Sequence, residues 1–300
     1  MAATKISVDV LGSVEQMLDK ATDLAALPQV VFRVIELTGD PKATSADLEK
    51  VLGMDQALAT KILTLANSSY YGLPRRVSSL RDAVVFLGFK SVKSLAMTIS
   101  SFNVFLGKSD APSLARRAVW RHSLETAQCA QIVSQHLHAH VQETFSPDQA
   151  YTCGLLHDVG KMVLDQSKHA LFVSITQLSR THGLRFHDVE VEVMPISHCQ
   201  LGAAMGTRWN LPPLLCEAIA YHHAPREASL NPRLTATICL ANEIAHYMEA
   251  APEQSEDAWA SLLARSRDAL PPLNLNDDQL PPIAEACRAE LNKGMSSLSF

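Results

Sequence analysis

The sequence predicts an all-α protein, an N-terminal helical bundle followed by a second helical domain, and three observations carry this. No segment sustains the two-residue alternation of a half-buried strand. Apolar residues recur instead at three- and four-residue spacing, and Ser, Thr or Asp stands in front of several of those runs as a helix start. Hydrophobic residues fill 47% of 300 positions, enough to bury a real core.

From Val8 to Lys20, residues Val10, Leu11, Val14, Met17 and Leu18 give an amphipathic lead helix. A second helix is expected over Pro28–Leu37, with Gly39-Asp40-Pro41 ending it. Thr44-Ser45-Ala46-Asp47 has the capping-box form and starts the next. Asp55 opens a strongly apolar helix that stops at Asn67-Ser68-Ser69, and Tyr70–Pro74 is a turn with aromatic shoulders. Ser79 caps a helix running to Gly88, and Lys90–Phe105 forms another. The polar break Gly107–Pro112 is an expected boundary, so 1–108 is a first domain, 109–250 a second and 251–300 a C-terminal helical extension.

A long helix is expected from Ser113 to about His136. Ser146, Pro147 and Gln149 supply the N-cap, the first-position proline and the capping-box partner of the helix that leads to His157. Amphipathic stretches follow at Lys168–His182, Phe186–Val193 and Ile196–Trp209. Pro212-Pro213 starts the helix that closes on His222-His223, and Asn231-Pro232 opens one through Met248. Helical patterns recur at Trp259–Leu270 and Pro281–Leu291, a tail expected to lie as a lid on the core, with disorder expected at Ser296–Phe300.

The formal charge of −5 argues against a dominant nucleic-acid or anionic-membrane surface. With no membrane-length apolar run and no signal-peptide pattern at residues 1–9, the expected location is cytoplasmic. Six cysteines stand singly without C-x-x-C spacing, as reduced buried thiols do.

The chemistry gathers at Tyr151–Gln166, where His157 and Asp158 are adjacent at the end of an apolar helical segment that Gly160 is expected to terminate. An imidazole beside a carboxylate suits a divalent metal such as Zn, Fe, Mn or Ni; a satisfied polar pair is the simpler account. Histidines in three other helical segments, His122, His198 and the doublet His222-His223, raise the metal reading. Lys161 either holds an anion there or complements the negative end of the preceding helix. His136, His138 and His140 read as an adventitious patch, and His182 and His187 as surface residues. Asn67, Tyr70 and Tyr71 read as a capped helix end packed by aromatics, with a small-ligand or partner surface as the alternative; Arg75-Arg76 reads as a solvated loop.

HDVGK at 157–161, preceded by WRHS at 120–123 and followed by SHCQLG at 197–202, Trp209-x-Leu211-Pro212 and AIAYHH at 218–223, resembles the HD superfamily of metal-dependent phosphohydrolases. Together with the blocks LPQVV…YYGLP at 27–74 and VSSLRD…SLAM at 77–97, the chain is similar to the HDOD branch, the HD-related output domain of bacterial signalling proteins, over about residues 24–248. The resemblance implies an HD-like helical domain and a metal centre of His122, His157, Asp158 and, where the family has aspartate, Asn242. It implies a second metal site at His198, His222 and His223, with Fe, Mn, Zn, Ni or Mg as the ion. In an active member Asp158 and Lys161 would be catalytic, the metal activating water and Lys161 steadying a phosphate. The branch is regarded as mostly regulatory, and Asn242 brings no charge to the ion. The Gly-Tyr-Pro motif of the cyclic di-GMP hydrolases does not follow His222-His223. The resemblance therefore implies a regulatory module acting in trans on signalling proteins, without catalysis. A phosphohydrolase of nucleotides or phosphoesters is the alternative, and a nucleotide-binding sensor the second.

Overall fold

The computed structural model describes residues 8–24, 29–40, 42–67, 73, 75–106, 113–139, 144–250 and 256–294. All secondary structure among them is helical. The N-terminal bundle holds α1 (Val8–Lys20), α2 (Gln29–Gly39), α3 (Ser45–Gly53), α4 (Gln56–Ala66), α5 (Leu80–Leu87) and α6 (Phe89–Leu106). The second part holds α7 (Leu114–His138), α8 (Pro147–Leu156), α9 (Val159–Ser167), α10 (His169–His182), α11 (Phe186–Val193), α12 (His198–Arg208), α13 (Pro213–Tyr221) and α14 (Pro232–Ala250). The tail holds α15 (Glu256–Ser266), α16 (Leu270–Leu273) and α17 (Leu280–Gly294). The boundary segment 107–112 and Ser296–Phe300 lie outside the described residues. No described helix is long and apolar enough to cross a membrane.

The helix starts follow the capping chemistry. Both Thr44 with Asp47 and Ser146 with Gln149 close reciprocal capping boxes, while Asp55, Ser79 and Ser113 each accept a backbone N–H of the first turn. Asn67 is structural: its amide donates to Leu63 O and Val77 O and accepts from Val77 N. Tyr70 and Tyr71 lie outside the described residues, and Arg75 is exposed with its guanidinium over the Phe86 ring.

One continuous core runs from Val14 to Leu291. The central helix α7 packs against α6, α8, α14 and α17, and α9, α12, α13 and α14 pack in succession beside it. Gly154 permits the α7–α8 contact, since a Cβ there would stand 2.8 Å from the Ala127 Cα. Across the two halves, the buried pair Lys93–Asp148 closes at 2.8 Å and the Trp209 indole N–H donates to Leu24 O at 2.8 Å. The tail is not a lid. Leu280, Ile283, Cys287 and Leu291 are buried and α17 packs directly on α7 and α14, so it completes the core.

The start of α14, which carries Asn242, is fixed by a carboxylate. Glu217 of α13 accepts the backbone N–H groups of Ser229, Leu230 and Asn231 at 2.6, 2.6 and 2.7 Å. Glu217→Ala strips all three donors of their partner, and we expect a loss of about 2 kcal/mol in chemical denaturation. Unchanged stability would show that solvent replaces the carboxylate freely.

Candidate metal centre

The centre forms where α8 breaks. His157 keeps helical dihedrals as the C-cap (φ −54, ψ −35), and Asp158 leaves them (φ −97, ψ 9) before α9 starts. Gly160 is not the helix exit that its residue type suggested. It sits in the first turn of α9, where a Cβ would come 1.8 Å from His198 O and 2.6 Å from Gly202 N, so glycine here lets α9 lie against α12. That contact brings His198, the first residue of α12, onto Asp158. His122 comes from α7, His222 caps α13, and Asn242 comes from α14.

Four histidines point the same way chemically. Their Nδ1–H groups donate outward, from His122 to Glu249 at 3.2 Å, His157 to Gly154 O at 2.7 Å, His198 to Glu190 at 2.7 Å and His222 to Ile219 O at 2.9 Å. This fixes the tautomer and turns each Nε2 toward Asp158. His122 Nε2 and His157 Nε2 stand 3.9 and 3.4 Å from Asp158 Oδ2, while His198 Nε2 and His222 Nε2 stand 3.2 and 3.8 Å from Oδ1. Asn242 Oδ1 lies 2.8 Å from His122 Nε2, which completes the four residues expected to meet. His157 Nε2, Asp158 Oδ1 and Asn242 Nδ2 are buried without a hydrogen-bond partner among the described residues. Two of these, His157 Nε2 and Asp158 Oδ1, are acceptors, and a divalent cation would satisfy both together; the Asn242 amide nitrogen is a donor and would not ligate it.

The charges agree. Burial disfavours ionised Asp158, yet His157, Lys161 and His198 outweigh it and hold the carboxyl well below its usual range. Burial pushes His157 down to about 4 and, with the neighbouring imidazoles, lowers His222 and His223 strongly, so all three are neutral ligands at pH 7. For His122 burial is overcome by Glu249 and Asp158, and for His198 by Cys199, Glu190 and Asp158, so both are raised. A metal entering there competes with protons for those two rings. Glu190 is held down to about 2: His198 and hydrogen bonds from His187 and His198 overcome its burial.

Other expected residues take different places. The Lys161 ammonium pairs with Asp158 Oδ2 at 2.6 Å and lies over the Phe186 ring. His223 stacks on His187 at 4.1 Å and shares a donor group with His198, not with Asp158. His187 is only 25% exposed, because α11 leans its ring onto His223. His182 is exposed, His138 donates to Ser134 O, and His140 lies outside the described residues. Sequence reasoning missed Glu190, His246 and Glu249. His246 stacks on His122 at 4.1 Å, and Glu249 bonds both rings. The signal for the last two was present, since Asn242, His246 and Glu249 are four and three residues apart on one helix and so share a face.

Residues 24–225 match the family model of the HDOD domain. An uncharacterized protein of Treponema pallidum (strain Nichols) is 24% identical over 235 residues, 77% of this chain; the chain spans 44% of that relative's length. Among solved structures, an HDOD domain protein of unknown function from Geobacter sulfurreducens is 24% identical with a TM-score of 0.70, covering 94% of this chain and 96% of its own. A Marinobacter aquaeolei protein provisionally called a signal transduction protein is 23% identical with a TM-score of 0.72, covering 90% of this chain and 58% of its own. A Shewanella amazonensis protein provisionally called a phosphohydrolase is 23% identical with a TM-score of 0.69, covering 94% and 96%. These likenesses establish the fold, and with the family model matching more than half of its length the chain belongs to the HDOD domain family.

Proposed function

We propose that this protein is a signalling module that acts through protein partners and holds a divalent metal at His122, His157, Asp158, His198 and His222 as part of its buried structure. The observation that carries the reading is the convergence of four tautomer-fixed Nε2 atoms on one carboxylate in a closed interior. His157, His198 and His222 are 0% exposed, Asp158 and Asn242 1%, and Lys161 6%. A phosphoester needs an open face on the ion, and these side chains leave little of one. Asn242 fits the same reading, because an amide oxygen can ligate but adds no charge to orient a water.

Metal analysis of the purified full chain, with melting curves before and after chelation, tests it. Divalent metal in amounts comparable to the chain is expected, with a fall in Tm on its removal. Asp158→Ala should strip the metal, and no turnover of generic phosphodiesters or phosphomonoesters is expected with Mn, Fe or Ni added. Turnover that Asp158→Ala abolishes would defeat the non-catalytic reading, and a metal-free wild type with no uptake would defeat the metal.

One observation favours a second reading, metal-dependent phosphoester hydrolysis. Asp158 presents Oδ2 to His122 and His157 and Oδ1 to His198 and His222, so one carboxylate faces two pairs of histidines that would hold two ions. Bound metals would supply Lewis acidity for phosphate and water. In that case Lys161, freed from Asp158, would hold the phosphate, and the Glu249 and Glu190 carboxylates would keep His122 and His198 oriented.

A further inference from the structure

We propose that a second, separate metal site, formed by His187, Cys199 and His223 and suited to Zn(II), lies on the outer side of the histidine cluster. The three residues arrive on different elements: His187 near the start of α11, Cys199 near the start of α12, and His223 just past the end of α13. One donor atom from each of them and from His198 lies within 4.8 Å of the others. The His187 and His223 rings stack at 4.1 Å with only 10° between their planes, so one ring turns in its rotamer for both to face the same ion. Cys199 is buried, with Sγ 3.6 Å from His198 Nε2, and His187 Nδ1 faces Glu190 Oε2 at 3.6 Å, which leaves its Nε2 as the donor for an ion.

His198 does not belong to this set. Its Nδ1 is given to Glu190, and its Nε2 lies 3.2 Å from Asp158 and 3.3 Å from His222 Nε2. The outer set is therefore two imidazoles and one thiol, and it shares no ligand with the inner centre. His187 and His223 are both partly exposed, so the ion has a route from solvent that the buried centre lacks. Two imidazoles and a thiolate with one position left to water is a tetrahedral zinc environment, softer than the histidine and carboxylate donors around Asp158. Binding forms one metal–sulfur bond and two metal–nitrogen bonds, and the Cys199 thiol proton passes to solvent. The two donor sets would sort ions, zinc outside and a harder metal inside.

Co(II) substitution of the full-length protein tests the site, because a thiolate ligand gives cobalt a near-ultraviolet charge-transfer band that histidine and carboxylate ligands do not. The wild type should show the band, and Zn(II) should bleach it. Cys199→Ser should remove the band and reduce zinc uptake while leaving metal at the inner centre. His187→Gln, at the accessible edge, should weaken zinc affinity at least about tenfold with the fold intact. Asp158→Ala should empty the inner centre and keep the band, which separates failure of this site from failure of the inner one. A wild type without the band, a band that survives Cys199→Ser, or a band lost in natively folded Asp158→Ala would each overturn the proposal.

Discussion

Replacing Gly160 with alanine is expected to cost about 4 kcal/mol or more and to empty the metal centre. The added Cβ would stand 1.8 Å from His198 O, 2.7 Å from His198 C and 2.6 Å from Gly202 N, and all three are backbone atoms that no rotamer change can move. Gly160 lies in α9 with ordinary helical geometry, so alanine would favour the local helix; only the lack of space opposes it. α9 and α12 must separate, and the separation carries His198 away from Asp158. Gly53, at the end of α3, has nothing within 4 Å of its Cβ position. Gly53→Ala should therefore leave stability within about 1 kcal/mol of the parent. Denaturant midpoints and metal content of the two variants check the argument. Equal midpoints would mean that the α9–α12 contact yields without cost.

Gly160 also shows where sequence stops being informative. Glycine marks either a backbone that must turn or a backbone that another must touch, and the residue type alone does not choose between them. Helix starts are legible because their chemistry is local: Ser146 and Gln149, or Thr44 and Asp47, satisfy each other three residues apart whatever the rest of the chain does. The adjacent His157 and Asp158 are legible for the same reason. His187 is not, since its amphipathic helix says which face is apolar but not that His223, thirty-six positions on, lies against it at 4.1 Å. Composition misleads at the tail. Its charged, proline-broken pattern describes the outer face of α17, whereas Ile283, Cys287 and Leu291 on the inner face are what α7 requires. Glu190 and Glu249 look like ordinary solvated acids until the fold shows which imidazole each one orients.

Acid is expected to destabilise the metal-free protein before Asp158 and Glu190, both held below their ordinary values, take up protons. His157 is held neutral by burial, its pKa falling from 6.5 to about 4. Between those values the unfolded chain binds a proton that the folded chain refuses, so stability is full above pH 6.5 and falls as the pH drops toward 4. A shift of that size corresponds to about 3 kcal/mol from His157 alone. His222, His223 and His246 are lowered too, and they add to the loss with the same sign. His122 and His198 are raised, so what they contribute is fully present in this window and fades only as the pH rises through their folded values. Asp158 and Glu190 are depressed, so their share is lost below the window. Denaturation of chelated protein at pH 7 and at pH 4 measures the slope, and His157→Gln should flatten it by about 3 kcal/mol if it folds. An identical slope in that variant would mean that the folded chain protonates His157 as readily as the unfolded chain does, and that burial does not hold the ring neutral. Added metal should steepen the profile, because protons and metal compete for the same ring nitrogens.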